Sequence, residues 1–347
     1  MWNKLAILGL AIGAARGAGA HEPTLSRFNY GEHVRPLFVR HCGGCHRGGG
    51  IAPMSLLDYQ DAVPWANAIK LSVLEGRMPP FLPGDDGGPF QGARALTALE
   101  IDTIVDWTVG TTPEGTSLAR GEDAPPATHA DADILLPAGG VVLDESESEK
   151  TACILLPTEL PSTRLVSGLE VIPGEPSILR RAAIFVGSSC SGTSPLAVWL
   201  PDRNRVSLPD GLGWKLAESS SVALELHYVK GWGDEGKRIV DRSALGLWFA
   251  READPVRSVP VENELDFPRA SRLVALYAAP VEDAPLRVES IAPDGSSRVL
   301  LSIERLDPAW SEKYFFESPV LLPAGSRLRA SQSGVWADIA PLPSASQ

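Results

Sequence analysis

The sequence predicts a multidomain protein in which an all-α domain is followed by all-β, tandem antiparallel β-sandwiches of a jelly-roll-like type. The chain has 347 residues, which is enough for two or three domains with a hydrophobic core each. Apolar residues recur at helical spacing from about residue 26 to residue 112. Beyond residue 133, short apolar runs alternate with clusters of Pro, Gly, Asp and Ser, which is typical of antiparallel strands.

Residues 1–20 have the pattern of a secretory signal peptide. Lys4 supplies a positive charge, residues 5–15 form a short apolar core, and residues 18–20 match a small-residue cleavage site. The apolar core is too short to cross a bilayer, and no later stretch approaches about 18 uninterrupted apolar residues. We therefore expect no transmembrane helix and a periplasmic or secreted location.

A C-x-x-C-H motif is formed by Cys42, Gly43, Gly44, Cys45 and His46. Two thiols at this spacing can add to the two vinyl groups of one haem, and the imidazole that follows is placed to bind the iron. The C-x-x-C spacing also occurs in thioredoxin-like redox pairs and in halves of zinc sites. The sequence shows neither a nearby βαβ pattern nor a second Cys or His pair, so we predict one covalently bound haem c per chain.

Three helical stretches surround this motif. The first covers residues 29–41 and leads into the motif, and the second has an apolar face over residues 65–73. The last begins at a capping box that pairs Thr97 with Glu100. Helices before and after a haem are the arrangement of small c-type cytochromes, which predicts a cytochrome c domain over residues 26–112.

The second axial ligand of the iron is expected from the same domain. The chain has three methionines, and the first leaves with the signal peptide. Met78 lies in a Met-Pro-Pro loop after a helix, which resembles the ligand loop of small bacterial cytochromes c, and Met54 is the alternative. We expect Met78 to bind the iron opposite His46, and His33 and His41 to lie on a helix surface. Ligation by His and Met raises the reduction potential and suits electron transfer.

The rest of the chain is predicted to form a linker and two sandwiches. Residues 113–133 are rich in Thr, Pro, Gly and acidic residues without periodicity, which indicates an exposed linker. The first sandwich is placed at residues 134–252 and a second, truncated one at residues 253–347. Their strands include the apolar runs at residues 153–156, 182–186, 222–228 and 245–249.

The β-rich part also contains a series of short motifs. They are VIPGEP at 171–176, Arg180-Arg181, WLP at 199–201, LPDG at 208–211, LELHY at 224–228, DRS at 241–243, GL at 246–247, PDG at 293–295, Tyr314 and LLPAGS at 321–326. These motifs resemble the copper type II, ascorbate-dependent monooxygenases, the family of peptidylglycine and dopamine hydroxylases. Residues 51–57 and 77–81 extend the resemblance to bacterial relatives that are fused behind a cytochrome c module. The resemblance implies two tandem sandwiches with two copper centres.

The residues at the copper-ligand positions depart from that family. One family copper is bound by a His-His pair and a later His-Tyr segment, but Arg180 and Arg181 occupy the pair here and only His227 matches. The second copper is bound by a His-x-His pair and a Met, but residues 278–280 read Ala-Ala-Pro and no methionine follows Met78. One imidazole cannot build a site of three nitrogen donors, and a guanidinium offers no lone pair. We therefore expect both copper centres to be lost.

Two residue pairs of the first sandwich lead to further expectations. Arg180 and Arg181 could bind an anion, a haem propionate or an acidic partner; alternatively, one neutralises a carboxylate and the other is solvated. Cys153 and Cys190 lie at the ends of predicted strands, where the resemblance places cysteines, so we expect a disulfide in an oxidising compartment. His227 is expected to be a hydrogen-bonded strand residue.

Together these features predict an exported monohaem c-type cytochrome that exchanges single electrons with a redox partner protein. The sandwiches would serve for docking or binding, with no catalytic residue and no intrinsic monooxygenase activity. An active copper- and haem-dependent monooxygenase and an electron-donor subunit of a partner oxidoreductase are the alternatives. The net charge of -12 disfavours binding to nucleic acid. The oligomeric state and the electron donor and acceptor are left open.

Overall fold

Short helices are followed by extensive β-structure along the chain. The structure, a computed structural model, describes residues 25–81, 83–93, 95–116, 131–201, 203, 205–279, 285–305 and 310–342. The predicted signal peptide at 1–20, most of the predicted linker at 113–133 and Pro280 lie outside the described residues. The domain boundaries derived from the sequence stay predictions.

Apart from a 3-10 turn at Trp232–Asp234, the main helical elements lie between residues 30 and 109. They are a π-helical turn at Tyr30–Val34, α1 at Arg35–His41, α2 at Tyr59–Ala62, a 3-10 turn at Val63–Trp65, α3 at Ala66–Leu74 and α4 at Ala98–Val109. The capping box predicted for α4 is confirmed, because Thr97 and Glu100 each accept a hydrogen bond from the backbone N–H of the other. Trp107 packs edge-on against Phe38 at a ring-centroid distance of 6.2 Å, which joins α4 to α1. Among the described residues, every helix falls short of the length and apolar character that a membrane crossing requires.

The strands occupy the chain from residue 134 onward. In the first half they are β1 (Ile134–Pro137), β2 (Val141–Leu143), β3 (Glu149–Pro157), β4 (Arg164–Ile172), β5 (Leu179–Val186), β6 (Ala197–Trp199), β7 (Val206–Ser207), β8 (Leu212–Leu216), β9 (Ser221–Val229), β10 (Ile239–Asp241) and β11 (Ala244–Phe249). In the second half they are β12 (Asp254–Val261), β13 (Glu264–Phe267), β14 (Ser271–Ala278), β15 (Leu286–Ile291), β16 (Ser297–Ile303), β17 (Lys313–Leu322), β18 (Ser326–Ala330) and β19 (Val335–Pro341).

One large sheet runs through both halves of the β-structure. Its strand order is β1-β11-β4-β8-β12-β19-β14-β17, with β7 paired to β4. A four-stranded sheet, β3-β9-β5-β6, shares a hydrophobic core with the first half of the large sheet. A second four-stranded sheet, β13-β18-β15-β16, shares another core with its second half. The result is two sandwiches that have one sheet in common.

The shared sheet corrects the expectation of purely antiparallel sandwiches. Strands β8 and β12 pair in parallel, with Asp254 opposite Leu212 and Val256 opposite Trp214. This pairing joins the two halves of the sheet and leaves no open edge between them. The apolar pattern of a strand shows which face is buried, but it does not identify the neighbouring strand or its direction.

The expectation of an all-α N-terminal domain is wrong. Strands make up 41% of the described residues and helices only 15%, and the helices do not enclose a separate domain. The segment between α3 and α4 leaves the helices and crosses the second sandwich. Residues 83–91, which we call the strap, form bridges from Pro83 to Ile303 in β16 and from Phe90 to Phe316 in β17.

Backbone hydrogen bonds and aromatic packing hold the strap in place. The N–H of Gly84 donates to Ser302 O at 2.7 Å, and the N–H of Gln91 donates to Phe315 O at 2.8 Å. Phe90 is 5% exposed, and its ring centroid lies 5.1 Å from that of Phe316. Phe90 is therefore buried in the second core, and the partly buried Phe81 packs against the same core instead of among the helices.

The disulfide predicted between Cys153 and Cys190 is confirmed. Cys153 lies in the edge strand β3, and Cys190 lies in the loop after β5. Since β9 runs between β3 and β5, the bond connects two parts of the sheet that do not pair directly.

Replacing Phe90 with Ala should destabilise the β-structure as well as the strap. Loss of a buried Phe side chain costs about 3–5 kcal/mol of unfolding free energy. Denaturant unfolding followed by far-UV circular dichroism measures the change. Leu99→Ala, at a position on α4 that is 68% exposed, is the control and should change stability by about 0.5 kcal/mol or less. Equal stability of the two variants would contradict the anchoring of the strap.

Replacing both Cys153 and Cys190 with Ser should lower the unfolding free energy by about 3–4 kcal/mol, since the bond closes a long loop in the unfolded chain. The two residues are 37 positions apart. The denaturation midpoint with and without a reductant is the measurement. Reductant should lower the denaturation midpoint of the wild-type protein to that of the variant and should not change the midpoint of the variant. A wild-type midpoint that does not change with reductant would contradict the stabilising role of the disulfide.

Candidate functional site

The predicted haem-binding residues come together around one cavity. Cys42, Cys45 and His46 border it from the end of α1, and Met78 borders it from the loop after α3. Most of the other bordering side chains are apolar. The cavity encloses about 180 Å³, and about 1010 Å³ when the part open to solvent is included.

The turn after α1 sets the positions of the two thiols and the imidazole. The helix ends at His41, and the N–H of Cys42 still donates to Phe38 O at 2.9 Å. The N–H of His46 then donates to Cys42 O at 2.8 Å, which closes the turn. Gly50 packs directly on this turn: a Cβ atom added to Gly50 would lie 2.3 Å from Cys45 O. The chain can return past the motif because Gly50 has no side chain.

His46 is held in the form that binds a metal. Its Nδ1 atom lies 3.3 Å from Met54 O. A carbonyl oxygen only accepts, so Nδ1 carries the proton and Nε2 keeps its lone pair. Burial lowers the pKa of His46, and the hydrogen bond to Met54 opposes this shift in part. A neutral imidazole whose second nitrogen is held by a carbonyl is the usual state of a histidine ligand.

The Cys42 thiol does not have the properties of a reactive redox thiol. Burial raises the pKa of Cys42 to about 12, and the nearby Cys45 adds to the shift. Cysteines of thioredoxin-like pairs have lowered pKa values, often at the N-terminus of a helix. Cys42 instead follows the C-terminal end of α1. The environment of this cysteine therefore does not favour thiol–disulfide exchange.

Two methionine side chains border the cavity, Met78 and Met54. The loop of Met78 is fixed to α3, because the N–H groups of Arg77 and Met78 both donate to Ser72 O, at 2.9 Å and 3.1 Å. The backbone carbonyl of Met54 is already engaged with His46. Both thioethers are thus available to the cavity from different segments of the chain.

The sequence places His33 and His41 on a helix surface, but both are half-buried. His33 packs edge-on against Phe28. The side chain of His41 is 9% exposed and borders the cavity, with its Nε2 atom 3.3 Å from Glu100 Oε1. Glu100 therefore connects the start of α4 with the end of α1, next to the C-x-x-C-H motif.

The β-structure supplies the remaining wall of the cavity through Arg180 and Trp310. Arg180 is the extra residue of a bulge in β5, because the pairing with β9 passes from Leu179 opposite Tyr228 directly to Arg181. Bulges turn side chains away from the regular ladder. The Cζ atom of Arg180 lies 5.3 Å from the ring centroid of Trp310. Sequence reasoning missed Trp310, which lies between β16 and β17 and has no sequence pattern around it that could single it out.

Arg181 has a different environment from Arg180. Its Nε atom donates to Ser311 O at 3.0 Å, and its Nη1 atom donates to Glu225 Oε1 at 3.0 Å. In contrast, the buried Nε atom of Arg180 has no hydrogen-bond partner among the described residues. Among the described residues, Arg181 is therefore neutralised by a carboxylate, whereas Arg180 has no such partner.

The positions that correspond to copper ligands do not form a metal site. His227 lies in β9, and its Nε2 atom is 2.7 Å from Glu149 Oε1. Ala278 ends β14 and is buried. Across the part of the chain that the structure describes, no three His, Cys, Asp or Glu side chains are grouped so that they could hold a metal ion. The donor set in the sandwiches thus does not fit the two copper centres of the monooxygenases that the motifs resemble.

Comparisons with known proteins add no identification. The chain matches no protein-family model, and it has no significant match among curated proteins.

Replacing Gly50 with Ala should disturb the C-x-x-C-H turn, because the new methyl group would overlap Cys45 O. Overpacking of this kind costs about 1–3 kcal/mol. Gly48→Ala is the matched control, since a Cβ atom there meets nothing within 4 Å. Denaturant unfolding of both variants measures the difference. If Gly50→Ala were as stable as Gly48→Ala, the close approach of Gly50 to Cys45 would be contradicted.

Proposed function

We propose that this protein is an exported monohaem c-type cytochrome that transfers single electrons. The observation that supports the proposal is the meeting of two thiols, one imidazole and one thioether around a single, mostly apolar cavity. These are the groups that covalent attachment and six-coordinate ligation of a haem require. The haem would supply a one-electron iron couple, and the protein would supply its attachment, its ligands and its surroundings.

Each residue has a distinct role in this proposal. Cys42 and Cys45 would hold the haem through thioether bonds, so the raised pKa of the Cys42 thiol would not affect later redox chemistry. His46 binds the iron through Nε2, because Nδ1 is held by the Met54 carbonyl. Apolar side chains such as Phe38 and Ile69 line the cavity. A mostly apolar pocket of this kind would favour the reduced iron, which carries less charge.

Met78 is the better candidate for the second axial ligand. The carbonyl of Met54 lies at Nδ1 of His46, whereas the iron would be bound at Nε2, on the other side of the ring. The Met54 segment is therefore already engaged in holding His46. The Met78 loop borders the cavity from another segment, and its thioether would be the one to hold the iron together with His46.

Export is the second part of the proposal. Covalent haem attachment through a C-x-x-C-H motif and a structural disulfide both fit an oxidising compartment outside the cytoplasm. The pattern of residues 1–20 would direct the chain there. A periplasmic or secreted location follows from these features together.

The sandwiches are proposed to take part in docking and in shaping the haem cavity. They resemble copper monooxygenases in their sequence motifs, but Arg180, Arg181 and His227 do not provide a copper donor set. The iron would then be the redox centre of the chain, and its electron would be exchanged with a redox partner protein. We therefore propose no intrinsic monooxygenase activity.

Replacing Met78 with Leu should remove the thioether ligand while keeping an apolar side chain of similar volume. In protein matured with haem attachment, Met78→Leu should lose the low-spin spectrum of His/Met ligation, lower the reduction potential and bind added imidazole. Met54→Leu is the matched control in the same cavity and should retain all three properties of the wild type. Optical spectra and redox titration measure them.

Metal analysis of the same wild-type protein tests the proposal as a whole. One iron per chain, bound covalently through Cys42 and Cys45, is the expected result. The Cys42→Ser/Cys45→Ser variant should carry no covalent haem, as mass spectrometry would show. Wild-type protein without covalent haem, or with stoichiometric copper, would contradict the proposed function.

A further inference from the structure

The haem cavity has an uneven distribution of charge. Among the described residues that border it, Arg180 is the one permanently charged side chain, and no Asp or Glu is present. His41, the other bordering group that can carry charge besides His46, faces Glu100 and so has a carboxylate of its own. The charge of Arg180 is therefore not balanced from within the cavity wall.

The guanidinium of Arg180 has a defined position, but it has no carboxylate partner among the described residues. It lies over the ring of Trp310 and reaches the cavity from the β5 bulge, and its Nε atom is buried without a hydrogen-bond partner. The adjacent Arg181 on the same strand does have a carboxylate partner, because it pairs with Glu225. A buried polar group without a partner is unfavourable, and more so when it is charged. An anion in the cavity would remove this cost.

We propose that Arg180 binds a propionate carboxylate of the haem that is attached at Cys42 and Cys45, and that Trp310 orients its guanidinium. The inference rests on the proposed function and deepens it. A planar guanidinium matches a carboxylate with two parallel N–H donors, and stacking on an indole ring fixes its plane. The haem carries the carboxylate that the protein side of the cavity lacks.

The proposal gives the sandwiches a defined part in the redox site. A residue of the first sandwich would hold the haem from the side opposite the helices, so the haem itself would connect the two parts of the protein. A cation near the iron stabilises the reduced state, because reduction adds a negative charge. Arg180 would thus be a positioning residue that also raises the reduction potential.

Redox titration of the haem-loaded full chain tests the proposal. Arg180→Gln leaves the carboxylate unbalanced, so the equilibrium constant for reduction should fall roughly tenfold, which is about 59 mV for one electron. Arg180→Lys keeps the positive charge but lacks the planar guanidinium, so the equilibrium constant for reduction should fall less in this variant. Arg205→Gln is the matched control, since Arg205 lies 4.5 Å over the ring of Trp248 in the same sandwich but does not border the cavity. It should leave the potential unchanged.

A stability comparison gives a second readout that does not depend on the potential. In the haem-free Cys42→Ser/Cys45→Ser background, Arg180→Gln removes an unbalanced charge and should raise or preserve the denaturation midpoint. In the haem-loaded protein the same substitution should lower the midpoint, because it removes a partner of the propionate. A merely structural role of Arg180 would lower both midpoints alike.

The outcomes separate the two proposals. The role of Arg180 would be overturned if haem-loaded Arg180→Gln had the same reduction potential and denaturation midpoint as the Arg205→Gln control. In that case, covalent haem and a His/Met spectrum would still support the proposed function. Wild-type protein that never acquires haem in a strain competent for attachment would overturn both.

Discussion

The hydrogen bonds between the strap and strands β16 and β17 fix the helices relative to the sheets. The strap follows α3 and the Met78 loop directly and precedes α4, so anchoring it to the second sandwich also places these elements. Arg180 and Trp310 can then meet the C-x-x-C-H turn across one cavity. The candidate site is therefore a product of tertiary contacts between the helical and β parts, and it is not contained within either.

Sequence reasoning singled out some residues that border this cavity but not others. Cys42, Cys45 and His46 are close in the chain and form a recognisable C-x-x-C-H motif. Met78 could be singled out because few methionines are present. Arg180 and Trp310 carry no such local signal, since Arg180 reaches the cavity through a bulge in β5 and Trp310 lies outside the strands, between β16 and β17. The bulge also explains why two adjacent arginines have different environments: Arg181 stays in the ladder next to Glu225, whereas Arg180 is turned out of it.

The fold shows the same division between local and non-local information. Helix ends and strand-rich composition could be predicted, because caps and apolar alternation are properties of short segments. The Cys153–Cys190 disulfide could be predicted because these are the two cysteines outside the C-x-x-C-H motif. The strap could not, since Phe90 lies among Gly and Pro residues that read as a loop, and burial of one aromatic side chain requires no periodicity. The parallel pairing of β8 with β12 could not be predicted either, because the apolar pattern of a strand does not show which strand pairs with it.

The residues that border the cavity are far apart in the sequence, which limits the fragments of this protein that would still contain the whole cavity. A fragment that ended before β5 would contain every proposed iron ligand and both attachment cysteines, yet it would lack Arg180 and Trp310. It would also expose Phe90 and the rest of the strap to water, with no sheet to receive them. The proposed ligands come from a short stretch of sequence, but the cavity is completed by Arg180 in β5 and by Trp310, which lies between β16 and β17. Because synthesis proceeds from the N-terminus, this cavity is completed long after the residues of the C-x-x-C-H motif have been made.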